Sequence, residues 1–207
     1  MRARPAPLTA IAATLVMAAT LTAAAAEDRP QRLLYLSAEQ TEESRYGGAG
    51  WFRAPRGLDG SGPVYALEGG RSFPDTNRLG LMAGWRWLLG RVYVTALAGV
   101  EARKDGSAGA GSLDLWWDDG PWMASGRTQV MEGPDNGRAA LGYRFGEGSP
   151  WFGPEISANW QGERLGLHAT GLHLPWDFEA RVSIGGTVRE RSDHGGGFLE
   201  LSLWRRF

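Results

Sequence analysis

The sequence predicts an all-β chain: an antiparallel transmembrane β-barrel of about twelve strands behind an N-terminal signal peptide. Three observations lead there. Segment after segment alternates with period two between a uniformly apolar row and a row of Gly, Ser and opposite charges. The chain carries a single lysine, Lys104, whereas a sheet face washed by water normally carries many. Most of the ten tryptophans stand near the ends of these segments, where the aromatic girdles of a membrane barrel lie. A periplasmic sandwich also alternates, with its apolar row as the core, and is the competing architecture.

Residues 1–26 have the layout of a secretory signal peptide. Arg2 and Arg4 precede an apolar stretch from Leu8 to Ala19, and small residues end at an A-x-A-like site near Ala25 or Ala26. The other reading of Leu8 to Ala26 is a tilted membrane-anchoring helix. The chain has no cysteine, which excludes disulfides, thiolate chemistry and lipid attachment at a cysteine. Residues 27–207 then form one domain, expected in the outer membrane. A formal net charge of -1 gives no electrostatic ground for a nucleic-acid partner.

The expected strands are 32–40, 45–54, 62–72, 78–88, 91–102, 110–118, 121–131, 137–146, 151–160, 163–174, 176–188 and 196–207. Twelve is even, as single-chain bacterial barrels require, and eight or ten follow if early segments are misassigned. In 92–101, Val92, Val94, Ala96, Ala98 and Val100 oppose Tyr93, Thr95, Leu97, Gly99 and Glu101. Leu165, Leu167 and Ala169 oppose Arg164, Gly166, His168 and Thr170, and Phe178, Ala180, Val182 and Ile184 oppose Glu179, Arg181 and Ser183. Ala139, Leu141, Tyr143 and Phe145 oppose Arg138, Ala140, Gly142 and Arg144, while Phe152, Pro154, Ile156, Ala158 and Trp160 oppose Glu155, Ser157 and Asn159. The stretches LLGRV, WWDDGPW, MEGPDNGR, WQGERL and LPWDF supply the turn residues that hairpins need.

The chain ends on LELSLWRRF. Leu199, Leu201, Leu203 and Phe207 take the lipid row, and Phe198, Glu200, Ser202, Trp204 and Arg206 the inner one. Arg205 falls on the lipid side, which is tolerable only at an interface. This strand resembles the last strand of bacterial outer-membrane barrels. The resemblance makes Phe207 an assembly signal and names outer-membrane lipid and the barrel assembly machinery as partners.

Asp114, Arg127, Gln129, Arg138, Arg144, Glu155, Asn159, Arg164, His168, Glu179, Arg181 and Glu200 thereby line the interior. Buried charges must be paired, so the first reading is an ion-pair and hydrogen-bond network filling a narrow lumen. The second is a channel or sugar-contacting lining. An enzymatic reading combines His168 with Ser183 and Glu179 as a hydrolytic triad of a lipid-modifying enzyme. His173 beside a turn and His194 in SDHGGG are expected to be solvated. DGSAGAGS and GGAG lack the Lys-Ser/Thr pair of a phosphate loop, the paired carboxylates of WWDDGPW sit in a turn, and no metal-ligand spacing occurs. No cofactor is expected.

The run RYGGAGWFRAPRGLDGSGPVYALEGGRSF, then LGLMAGWRWLLGRVYVTALAGVEAR, RAALGYRF, FGPEIS and RLGLHATGL resembles the BcsS family of cellulose-biosynthesis proteins over residues 33–207. The resemblance implies a small exported outer-membrane barrel associated with bacterial cellulose production, with cellulose or components of the cellulose-synthase complex as partners. It supplies no catalytic residues. The chain departs from that family in its short loops and sparse acidic loop sequence. The function so implied is a non-enzymatic accessory in cellulose synthesis or export, with the lipid-modifying enzyme and a small general porin as the alternatives.

Overall fold

A computed structural model describes residues 30–42, 44–73, 76–131, 136–159, 162–190 and 196–207. The expected signal peptide (residues 1–26) and the expected positions of Trp160 and His194 lie outside the described residues, as does the side chain of Asn159. Twelve strands follow in order: β1 (Arg32–Thr41), β2 (Arg45–Arg53), β3 (Gly62–Phe73), β4 (Thr76–Leu89), β5 (Val92–Arg103), β6 (Gly106–Asp119), β7 (Trp122–Met131), β8 (Asn136–Tyr143), β9 (Trp151–Asn159), β10 (Gly162–Leu174), β11 (Phe178–Glu190) and β12 (Gly197–Arg206). Each pairs antiparallel with its chain neighbours, and β1 pairs with β12, so the sheet is a closed barrel. The expected strand count therefore holds.

The seam runs in register from Leu33 opposite Arg206 to Thr41 opposite Phe198. Beyond it the Phe207 amide donates to the Arg32 carbonyl at 2.9 Å, and the Arg32 amide donates to the Phe207 carbonyl at 2.8 Å. The last residue thus completes the ladder. The start of β1, the end of β12 and the connections 54–61, 90–91, 120–121, 144–150 and 175–177 share one end of the barrel, the terminal end. Gly90 and Gly120 adopt φ of +67° and +61° in two-residue turns, where positive φ matches the twist of the flanking strands.

Most boundaries agree with expectation within two residues, and two differ by more. β6 starts at Gly106, so the glycine-rich SAGAG belongs to a strand, because ladder pairing with Glu101 to Arg103 needs only backbone. β8 ends at Tyr143 because the chain turns at Gly146, whose amide is held by the Ser149 hydroxyl at 3.1 Å.

The outer surface carries the apolar rows. Leu79, Leu81, Val100, Leu113, Leu141, Ile156, Leu165, Leu167, Ile184 and Leu199 are exposed, Leu167 at 63 %. So large a continuous apolar belt on a closed sheet is what lipid contact requires. Around the terminal end it is rimmed by outward Tyr65, Trp85, Trp87, Trp122, Tyr143, Phe152 and Trp176. Trp116 and Trp151 correct the girdle expectation: they share the inner rows of Asp114 and Glu155, and meet edge to face at 6.3 Å. Their position at strand ends was right, but odd or even register decides the face. Arg205 lies beside the 175–177 turn, 3.9 Å from Asp177, at the barrel rim.

Glycine makes room where wall elements crowd. The Tyr35 ring lies where a Cβ of Gly50 would be, and a Cβ at Gly84 would overlap the Ala96 carbonyl. Substituting the lipid row tests the polarity of the wall. Leu167→Arg, near mid-strand, is expected to lower unfolding free energy in liposomes by about 2–4 kcal/mol, and Val188→Arg nearer the rim by about 0–1 kcal/mol. Equal costs at both positions would contradict the depth assignment.

Candidate functional site

The inner rows of the barrel wall form one continuous polar site. At its centre stand Arg127 on β7 and Arg138 on β8, which are register partners and both point inward. Adjacent like charges are tolerated because each turns to a different wall. Arg127 Nη2 donates to Glu68 on β3 at 2.9 Å, and its Nε lies 3.4 Å from Asp114 on β6. Arg138 grips Glu200 on β12 with both terminal nitrogens, Nη1 at 2.8 Å. Glu68 and Glu200 each lie four strands away from their arginine, in opposite directions around the ring. The two arginines therefore act as struts across the lumen.

Around Glu200 the network continues along one wall. Arg181 on β11 pairs with Glu155 on β9, which also accepts the Ser183 hydroxyl at 2.9 Å. Glu155 is only 2 % exposed, so removing these partners would leave it buried without a match. Arg164 on β10 reaches Glu39 on β1 at 2.9 Å, and Ser202 donates to Glu200 at 3.1 Å. The Trp204 indole donates to Glu179 at 3.2 Å. Towards the end away from the termini, Glu101 takes Arg103 at 2.6 Å and Arg78 at 3.9 Å, while Arg78 also donates to the Tyr46 hydroxyl at 2.6 Å.

The hydrolytic triad is not assembled. His168 and Ser183 are register partners, yet His168 Nδ1 lies 2.8 Å from the Thr170 hydroxyl and Nε2 lies 3.1 Å from the Leu141 carbonyl. Ser183 is committed to Glu155 and Glu179 to Trp204. No proton path therefore leads from hydroxyl to imidazole to carboxylate. Among the described residues no cluster of three His, Asp or Glu side chains could hold a metal ion.

The residues named from sequence thus divide. Asp114, Arg127, Arg138, Glu155, Arg164, Glu179, Arg181 and Glu200 belong to the bridging network, His168 is a hydrogen-bonded wall residue, and Arg144 stands apart at the terminal mouth. Tyr46, Glu39, Glu68, Arg78 and Glu101 are further members that the sequence reading did not single out. Their signal was the same alternation: Tyr35, Ser37 and Glu39 form a polar row against Leu34 and Leu36.

A second feature narrows the lumen. The β2–β3 connection, residues 54–61, folds into the terminal mouth, with Leu58 3 % exposed and packed with Ala54, Val64, Ala66, Met82 and Leu97. Its backbone is anchored. The Leu58 amide donates to the Pro30 carbonyl at 2.8 Å, the Ala54 amide to Gln31 at 2.8 Å, and Arg86 Nη1 donates to the Leu58 carbonyl at 2.5 Å. The mouth is capped by an apolar plug tied to the two residues that precede β1.

Such a closed ring, apolar outside and charge-paired inside, is a barrel of the outer-membrane type. Solved structures share this architecture. The NanC porin aligns with 85 % of this chain and 100 % of its own at a TM-score of 0.56 and 8 % identity. The KdgM porin aligns with 84 % of this chain and 99 % of its own at 0.58 and 9 %, and KdgM has also been solved in complex with disordered oligogalacturonate. At these identities the likeness is one of fold. No protein-family model and no curated protein matches the sequence.

Removing one partner of the most buried pair is expected to strand a charge. Arg181→Met alone should cost about 3–5 kcal/mol in reversible unfolding from micelles, and the double change with Glu155→Met markedly less. Additive losses would mean that the two side chains do not depend on each other.

Proposed function

We propose that this protein is a non-enzymatic outer-membrane barrel serving as an accessory in bacterial cellulose synthesis or export, a membrane-seated scaffold rather than the conduit of the polymer. The observation that carries the scaffold reading is the occupied bore. A glucan strand would have to displace the Arg127–Glu68 and Arg138–Glu200 struts and the 54–61 plug, and breaking buried ion pairs is costly. The cellulose assignment rests on the BcsS resemblance of residues 33–207, and makes cellulose or the synthase complex the partner. Outer-membrane lipid and the barrel assembly machinery are the partners of the wall and of the terminal strand ending in Phe207.

The test is cellulose output from a strain lacking the gene. Output is expected to fall and to return with the wild-type copy; unchanged output would remove the cellulose assignment.

A small-solute porin is the second reading, favoured by the fold it shares with NanC and KdgM. Planar bilayers separate the two. The wild-type protein is expected to give no steady conductance, and Leu58→Asp combined with Arg127→Ala to give discrete openings. Steady wild-type channels would establish the porin instead.

A further inference from the structure

Most inward arginines are committed to carboxylates, which sets one concavity apart. At the terminal end a cavity of about 370 Å³, open on one side, is lined by Leu88, Arg91, Tyr93, Asp118 and Arg144 among others. Arg91 is paired with Asp119. Arg144 lies with its guanidinium 4.7 Å from the Trp151 ring centroid and forms no ion pair with a described carboxylate. Asp118 and the Tyr93 hydroxyl likewise have no hydrogen-bond partner among the described residues. A donor, an acceptor and a group that can be either therefore face one space.

Two of these groups, Arg144 and the Tyr93 ring, are held in place before any ligand arrives. The Arg144 amide donates to the Pro121 carbonyl at 2.8 Å, which ties the end of β8 to the β6–β7 turn. Stacking on Trp151, itself edge-on to Trp116, fixes the guanidinium plane. The Tyr93 ring is backed by Arg86 at 5.9 Å. At Arg144 and Tyr93, little ordering entropy is left to lose on binding.

We propose that this cavity binds a neutral saccharide of one or two rings, such as the end of a β-glucan chain. An anion would meet Asp118, and a cation would meet Arg91 and Arg144. A neutral polyol satisfies both signs, because each hydroxyl donates to the carboxylate or accepts from the guanidinium. Tyr93 and Leu88 supply apolar surface for the C–H face of a pyranose ring. The volume lies at the lower end of the roughly 300–1,000 Å³ of small-molecule sites, enough for a chain end and too little for a polymer. This inference deepens the cellulose reading and rests on it for the identity of the sugar.

The test is calorimetric titration of the mature barrel in micelles with cellobiose, cellotetraose and galacturonate oligomers. Saturable binding of the gluco-oligosaccharides is expected, at least about tenfold tighter than that of the acidic oligomers. Asp118→Asn and Arg144→Ala should each weaken it by about tenfold or more, the scale of one hydrogen bond to a charged group. Asp118 is an exposed strand-end residue, and a retained mobility shift between heated and unheated gel samples verifies that both variants fold. No saturable binding, equal binding by both variants, or preference for galacturonate would overturn the proposal. Saccharide binding alongside normal cellulose output in the deletion strain would leave the site standing and remove the cellulose reading; the converse would remove only the site.

Discussion

A β-sheet can cross a bilayer only if its two edges meet, since lipid offers no partner for an open row of amides and carbonyls. Here they meet between Arg32–Thr41 and Gly197–Arg206, with Phe207 adding the final pair of hydrogen bonds to Arg32. Everything else depends on that closure. It gives every strand an inside and an outside, turns the period-two pattern into two chemically opposite surfaces, and brings the first residues of the wall to the plug, through the Pro30 and Gln31 carbonyls.

Closure also creates the second constraint, an interior where charge must be paired. The solution is a set of arginine–carboxylate contacts that join strands far apart around the ring: β7 with β3, β8 with β12, β10 with β1. Such pairs add specificity as much as stability, because only one shear and one strand number bring those partners within reach. They also span the centre of the barrel from wall to wall. The terminal mouth differs, with an apolar plug on the β2–β3 side and uncommitted polar groups around Arg144 and Asp118.

Much of this was legible in the sequence. Strand number, the outward rows on β5 and β8 to β12, and the inward direction of the named polar residues all follow from alternation, which lipid outside and charge inside enforce at every step. What alternation cannot give is partnership across the lumen. That Arg138 meets Glu200 depends on the closed circumference, and no local spacing encodes it. The plug was also hidden, because APRGLDGS between two strands has the composition of an ordinary turn; its inward fold depends on the facing row of Val64, Ala66, Met82 and Leu97. Trp116 and Trp151 show the converse limit: residue type suggested the girdle, while register placed both inside.

One wall thus carries lipid on its outer row and paired charges on its inner row. Single-cysteine spin labels at 164, 165, 167, 168 and 169 on β10 test this, made without background because the chain has no native cysteine. In proteoliposomes, labels at 165, 167 and 169 are expected to be reached by dissolved oxygen from the lipid. Labels at 164 and 168 should be reached poorly by either oxygen or a water-soluble relaxant. High access of the water-soluble relaxant at the even positions would contradict the filled interior, and loss of alternation would contradict the barrel wall itself.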